Sequence, residues 1–312
     1  MRPILTLTPN PALDLSASAP SVRPNVKLRC SPATVEPGGG GVNVSRAVHQ
    51  LGGTSCCLVA LGGATGAALE TGLTARGLDV LRVEAPGDTR QSLAVTSEDS
   101  GDQFRFSLAA ADWAEADCAR FIDAVKAAVA PGALIVLSGS LPPGMAPEWL
   151  APLGAIVAQA GAELVADTSG ASLKLLAAEG GAHTLRMDHA EARFLSGTQL
   201  ADVAEVRAFA ATLTRATPRV IVAMGAAGSV MASADGSAWH AAGADVPVVS
   251  KVGAGDSFVG GFALALARGA PPEQALQSGM AAASAAVMTA GTELCRLEDY
   301  DRVLPDCTLT RL

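Results

Sequence analysis

Val252-Gly253-Ala254-Gly255-Asp256-Ser257-Phe258 stands between an apolar, strand-like run (Val246 to Val249) and a long apolar segment, Phe258 to Arg268, of helical character. Glycine lets backbone approach a ligand closely, and the N–H groups at a helix start form an anion site. Asp256 puts a carboxylate inside that anion site, which suits removal of an acceptor proton while a phosphoryl group arrives. The same residues also read as an ordinary helix start, with an acidic side chain favoured by the dipole. Both readings stand on this stretch alone.

Outward from it, strands and helices alternate. Strand-like runs at 4–7, 55–61, 79–83, 133–138, 163–167, 183–187 and 219–224 are separated by helical patterns at 42–51, 67–76, 115–129, 147–160, 171–178 and 201–215. Two long helices, 254–268 and 272–289, follow the glycine motif. This alternation predicts an α/β fold with a mostly parallel sheet covered on both faces. Two segments break the pattern, 12–36 and 90–110. In the second, Gln91 to Thr96 and Gln103 to Leu108 flank the turn Glu98-Asp99-Ser100-Gly101, a hairpin signature. Together they predict a small antiparallel β lid (12–36 and 90–110) on an α/β core (1–11, 37–89 and 111–312). Ligands in open α/β sheets bind beyond the carboxyl ends of the strands, where such a lid would close.

Of 312 residues 49% are hydrophobic but only 4% aromatic, so alanine-rich helices are expected to pack closely. No apolar run approaches the ~20 residues that span a bilayer, and Met1-Arg2-Pro3 leads straight into a strand, so no membrane partner and a cytoplasmic location are expected. Thirty acids against 22 bases give a formal charge of −8 with no basic stripe, which argues against nucleic acid. The six cysteines form no C-x-x-C pair and read as buried, reduced thiols, and the four histidines lack zinc-ligand spacing. There is no Gly-Lys dipeptide for a Walker loop, no helix-opening G-x-G-x-x-G and no G-x-S-x-G elbow.

A second motif is Glu36-Pro37-Gly38-Gly39-Gly40-Gly41-Val42-Asn43-Val44-Ser45-Arg46. Four glycines ahead of a helix permit backbone contact with a polar ligand, and Asn43 can donate and accept. A flexible linker would not lead into Val44, Ala47, Val48 and Leu51 at helical spacing. Asp14, placed in a loop after the first strand, suits either sugar hydroxyls or turn capping. Lys27 and Arg29 in the lid, with Arg90 and Arg105 flanking the hairpin, suit either a phosphate or solvent.

Taken together these residues resemble the PfkB carbohydrate kinases, also called the ribokinase family. Gly253 to Phe258 is similar to that family's C-terminal signature, and Glu36 to Arg46 with His49-Gln50-Leu51-Gly52-Gly53 to its N-terminal one. Lys27-Leu28-Arg29-Cys30, Thr89-Arg90-Gln91 and Ser138 to Gly144 most resemble the 6-phosphofructokinase isozyme 2 branch. The resemblance covers nearly the whole chain. It implies a ribokinase-like three-layer sandwich and an ATP-dependent, magnesium-requiring kinase that phosphorylates fructose 6-phosphate at its 1-hydroxyl. By the same resemblance Asp256 is the base, and Gly253, Ala254 and Gly255 receive the transferring phosphoryl group. Asp14, Lys27, Gly39, Asn43, Arg90, Arg105 and Ser140 are implied sugar-phosphate contacts. Lys27, Arg186, Asp188, Met224, Gly225, Gly228, Met280 and Ser284 are implied on the nucleotide side. Asp188 and Glu191 would serve magnesium through water. Ser250, Val252, Ala286, Thr289 and Gly291 would hold a monovalent cation such as potassium. A homodimer through the lid is implied as well.

The pattern has departures. Related 1-phosphofructokinases and tagatose-6-phosphate kinases usually carry lysine where Gly40 stands, which favours fructose 6-phosphate as acceptor. The family's N-x-x-E motif reads Asp188-His189-Ala190-Glu191, and the expectation is retained magnesium dependence with altered nucleotide affinity. Ser107-Leu108-Ala109-Ala110 stands where relatives often have Pro-Gly; Lys251 replaces a common threonine, and Glu293 lies near the cation loop. A sugar-phosphate sensor without catalysis is the reading from another class.

Overall fold

The computed structural model describes residues 1–291 and 293–312. Seven strands run parallel in the spatial order β5(Asp79–Glu84), β4(Cys56–Leu61), β1(Ile4–Thr8), β8(Leu134–Ser138), β9(Glu163–Asp167), β10(Thr184–Asp188), β11(Arg219–Ala223). Three antiparallel strands extend that sheet: β12(Ser229–Ser233), β13(Ala238–Ala241) and β14(Leu309–Arg311). The antiparallel extension has no counterpart in the sequence reading, because its strands are three to five residues long and weakly alternating.

Both faces are covered, and strand alternation shows it. Leu5, Leu7, Ile135 and Leu137 point into one core, whereas Ile4, Leu134 and Val136 point into the other. The first core takes Phe121 and Val125 from α3(Glu115–Ala128), Leu153 and Val157 from α4(Leu150–Gln159), and Leu173 and Leu176 from α5(Gly170–Glu179). The second takes Val44 and Val48 from α1(Gly40–Gln50), Phe258 and Phe262 from α8(Ala254–Ala267), and Met280 and Ala282 from α9(Pro272–Ala286). Small residues set the spacing here: a Cβ on Gly261 would lie 2.7 Å from the Cβ of Ala282. Helices α2(Gly63–Thr74), α6(His189–Ser196) and α7(Val203–Leu213) complete the layers, with α10(Leu297–Val303) near the C-terminus. The short α6, opening on Asp188, is absent from the sequence reading.

The second sheet is the lid, in the order β3(Thr34–Gly38), β2(Ala12–Ala19), β6(Gln91–Ser97), β7(Gln103–Ser107). Its outer pairs are antiparallel and its central pair, β2 with β6, is parallel. Asp14 lies within β2 and not in a loop, because β2 begins only four residues after β1 ends. The run 246–249 is not a strand either: Val248 and Val249 are about 60% exposed, and Val249 N–H donates to the Val287 carbonyl at 2.7 Å, beyond the end of α9. All six cysteines are free, as expected, but Cys30 is exposed on the loop between β2 and β3. Among the described residues no helix is long and apolar enough to cross a membrane.

Candidate active site

A cleft of about 470 Å³ lies between the lid and the carboxyl ends of the parallel strands. Asp14, Gly39, Asn43, Arg90, Arg105, Gly253 and Asp256 all line it, although they are scattered over more than 240 positions of chain. Ser92, Ser107, Lys251 and Val252 line it too.

Gly253 opens α8 with φ +77°, a left-handed backbone that favours glycine and that aims the first-turn amides into the cleft. The first four N–H groups of a helix have no acceptor within it, so those of residues 253–256 form a ready anion seat. Asp256 belongs to this first turn. Its carboxylate accepts 2.9 Å from Asn43 Nδ2, which joins the two sequence motifs. Burial pushes its pKa up to about 7; Asp167 and Asp14 add to the rise, while the Asn43 hydrogen bond and Arg186 oppose it. A carboxylate poised near neutrality suits a general base.

Asp14 faces Asp256 from the lid. Burial raises its pKa to about 6 against the pull of Arg90, Arg46 and Arg105. Arg90 donates to Asn10 Oδ1 at 3.1 Å and to Ser107 Oγ at 3.0 Å, so its fork is held at the cleft wall. Asn10 in turn donates to Ser140 Oγ at 3.1 Å, which ties Ser140 to the rim of the site through a partner the sequence reading missed. The signal for Asn10 was available, since Thr8-Pro9-Asn10-Pro11 leaves the carboxyl end of β1. The glycine run is packed tight: a side chain on Gly40 would start 2.5 Å from Ser138 Oγ, and one on Gly38 would overlap the carboxylate of Asp14. Lys27 stands apart, exposed on the loop between β2 and β3 and not among the cleft-lining residues.

Arg186 lies close to Asp256. It pairs with Asp167 at 2.9 Å, and its guanidinium stands 3.3 Å from where a Cβ on Gly255 would be. Its Nε is buried without a hydrogen-bond partner among the described residues. Asp167, at the end of β9, was missed in the sequence because no motif marks it. Asp188 and Glu191 close a capping box on α6: Asp188 Oδ1 accepts from Glu191 N–H at 2.8 Å, and Glu191 Oε2 from Asp188 N–H at 2.9 Å. Each carboxylate keeps one oxygen outside those two bonds. Burial, foremost, raises the pKa of Glu191.

Met224, Gly225 and Gly228 form a turn after β11, in which Met224 N–H donates 2.8 Å to the Gly228 carbonyl. The next residue, Ser229, donates to Met280 Sδ at 3.1 Å, so this turn and the Met280–Ser284 face of α9 are neighbours. The loops bearing Ser250 and Gly291 also meet: Ser250 Oγ lies 3.5 Å from the Gly291 carbonyl, while Thr289 Oγ1 donates to the carbonyls of Ala286 and Leu294 at 2.9 and 3.0 Å. Among the described residues no three acidic, histidine or cysteine side chains converge as a metal cage.

A buried carboxylate at a helix start, at the mouth of a parallel sheet and under a lid that carries arginines, suits a phosphotransferase with a hydroxyl acceptor. The chain belongs to the pfkB family of carbohydrate kinases, whose model matches residues 11–299. It is 36% identical to the ATP-dependent 6-phosphofructokinase isozyme 2 of Escherichia coli (strain K12), over 96% of this chain and 97% of that one. It is 29% identical to the 1-phosphofructokinase of Bacillus subtilis (strain 168), over 99% and 100%. The crystal structure of phosphofructokinase-2 from Escherichia coli in complex with potassium superposes with a TM-score of 0.92, 35% identity and coverage of 98% and 99%.

Proposed function

We propose that the protein transfers the terminal phosphoryl group of ATP to the 1-hydroxyl of fructose 6-phosphate, giving fructose 1,6-bisphosphate. The observation that carries this reading is the Asp256 carboxylate, fixed by Asn43 in the first turn of α8 and facing Asp14 and the lid arginines. Asp256 takes the proton of the attacking hydroxyl, and the backbone N–H groups of Gly253, Ala254 and Gly255 receive the developing charge on the phosphoryl oxygens. Arg90 and Arg105 hold the 6-phosphate, while Asp14, Gly39 and Asn43 fix the sugar hydroxyls; Ser140 supports the rim through Asn10. Lys27 reaches the site only if its exposed loop moves inward. Glycine at position 40, where 1-phosphofructokinases and tagatose-6-phosphate kinases usually carry lysine, favours fructose 6-phosphate over those alternatives, and a Cβ there would start 2.5 Å from Ser138 Oγ.

On the nucleotide side, the turn at Met224, Gly225 and Gly228 and the Met280–Ser284 face would hold the adenine end, and Arg186 the phosphates. Magnesium, held mostly by water and phosphate, would meet the outer oxygens of Asp188 and Glu191 and would neutralise phosphate charge. Ser250, Val252, Ala286, Thr289 and Gly291 offer oxygens to potassium, the ion present in the Escherichia coli structure.

The lid also supports a homodimer. Val35, Leu93, Phe104 and Phe106 share its outer face by register and are all more than a third exposed, whereas Asp14 and Arg105 occupy the inner face. A second lid would cover that apolar face. A cytoplasmic location fits such a kinase.

Turnover with fructose 6-phosphate, fructose 1-phosphate and tagatose 6-phosphate, followed by ATP consumption, tests the assignment. The highest kcat/KM is expected with fructose 6-phosphate. No ATP consumption with any of them would leave the sensor reading in its place.

A further inference from the structure

We infer that Arg46 is a positioning residue for the phosphoryl-transfer base, linking the lid strand β3 to Asp256 through Asn43. The observation is an unbroken chain of contacts. Glu36, on β3, accepts from Arg46 Nη2 at 3.0 Å. Arg46 Nη1 donates to the Pro37 carbonyl at 2.9 Å and to Asn43 Oδ1 at 3.1 Å. Asn43 Nδ2 then donates to Asp256 Oδ2 at 2.9 Å.

Chemistry makes the direction of this chain matter. A carboxamide has a donor end and an acceptor end, and a guanidinium can only donate. Arg46 therefore claims the oxygen of Asn43 and leaves its nitrogen for the carboxylate. With Arg46 gone, the amide is free to turn, and its oxygen would then face the oxygens of Asp256. Arg46 is 4% exposed, deep for a cation, and burial lowers its pKa. Burying a charge is costly unless it is paired and hydrogen-bonded. A cation kept there beside the base invites a role beyond packing. Glu36 gives the chain its other end, because it lies directly across from Asp14 in the β2–β3 register. The strand that presents Asp14 to the acceptor is thereby tied to the residue that orients the base. Asp14, Asp167 and Arg186 are the other charged groups that act on Asp256.

This inference rests on the kinase reading above, and the two fail differently. The test compares wild type, Arg46→Met, Arg46→Lys and the double variant Glu36→Gln/Arg46→Met in steady-state turnover of fructose 6-phosphate and ATP between pH 5 and 9. Arg46→Met removes one cation that pairs with Glu36, while Arg76 stays at 3.9 Å, and is expected to lower stability; the double variant removes both members of the Glu36–Arg46 pair and restores it. For the positioning role, kcat of the double variant stays down by about ten- to a hundred-fold, the scale of a misplaced reacting group. The acid limb of its pH profile also moves upward, because the Asn43 hydrogen bond that favours ionised Asp256 is weakened. Arg46→Lys recovers part of the loss. If the double variant regains both thermal stability and wild-type kcat with an unmoved acid limb, Arg46 is a packing residue and the inference is overturned. An inactive wild type would instead sink the kinase reading.

Discussion

The two sheets meet at one cleft but are built on opposite terms. The ten-stranded sheet is covered on both faces, and strands β1 and β8 are buried along their whole length. The lid is covered on one side only, and β7 is exposed throughout. Asp256 and the helix start around it belong to α8, which packs on the covered sheet through Phe258 and Phe262. The cleft-lining arginines, Arg90 and Arg105, belong to the lid, whose strand β7 is exposed. Close packing surrounds Asp256, whereas an exposed strand carries Arg105.

The sharpest break in that comparison is Asp256→Asn. It is expected to lower kcat by at least about a thousand-fold with a modest change in KM, as for loss of a general base. Steady-state kinetics with fructose 6-phosphate check it, and near-normal turnover removes Asp256 from the role.

Next in size is the contrast between two phenylalanines. Phe262→Ala, in the core, is expected to cost about 3–5 kcal/mol of stability; Phe262 is 1% exposed. Phe106→Ala, on the outer lid face, should stay within about 0.5 kcal/mol as a surface change, since Phe106 is 51% exposed. Denaturant melts decide it. The lid variant should instead weaken the dimer, read by light scattering at micromolar concentration.

Arg90→Ala and Arg105→Ala are each expected to raise the KM for fructose 6-phosphate by about ten- to a hundred-fold, the range for charged hydrogen bonds. Arg90 should show the larger effect, because Asn10 and Ser107 already hold its fork. An equal or smaller loss at Arg90 would mean that this anchoring does not help binding.

Stability against pH should change as well. The pKa of Asp256 is raised from 3.8 to about 7 in the folded chain. Ionising it therefore opposes folding: the penalty grows from about pH 4 to about pH 7 and is constant above that. Asp256→Asn should raise Tm over wild type at pH 8 and leave it nearly unchanged at pH 4. In wild type, kcat/KM should fall as pH drops below about 7, because the base is then protonated.

Much of this was readable in residue order. Alternating runs of apolar strand and helix foretold a parallel sheet, and the hairpin turn at 98–101 foretold the second sheet. Three things were not readable. The apolar run 246–249 looks like a strand by composition, yet it finds no strand partner and becomes a connector. Asp188 and Glu191 also close a capping box on α6, a helix that residue order did not announce. Asp167 carries no motif, and only the neighbouring strand end of β10 brings it to Arg186.

What the chain alone determined is local: the glycine that starts α8 in a left-handed turn, the carboxylate in its first turn, and the four-glycine approach to α1. These follow from backbone sterics and short-range hydrogen bonding, which act over a few residues. What only the tertiary structure decided is that Asp14, Asn43, Arg90, Arg105 and Asp256 share one cleft, with Asn43 turned to donate. That outcome depends on which strands lie side by side and on how the lid's register sorts polar from apolar faces, and those are settled by packing between segments far apart in the chain.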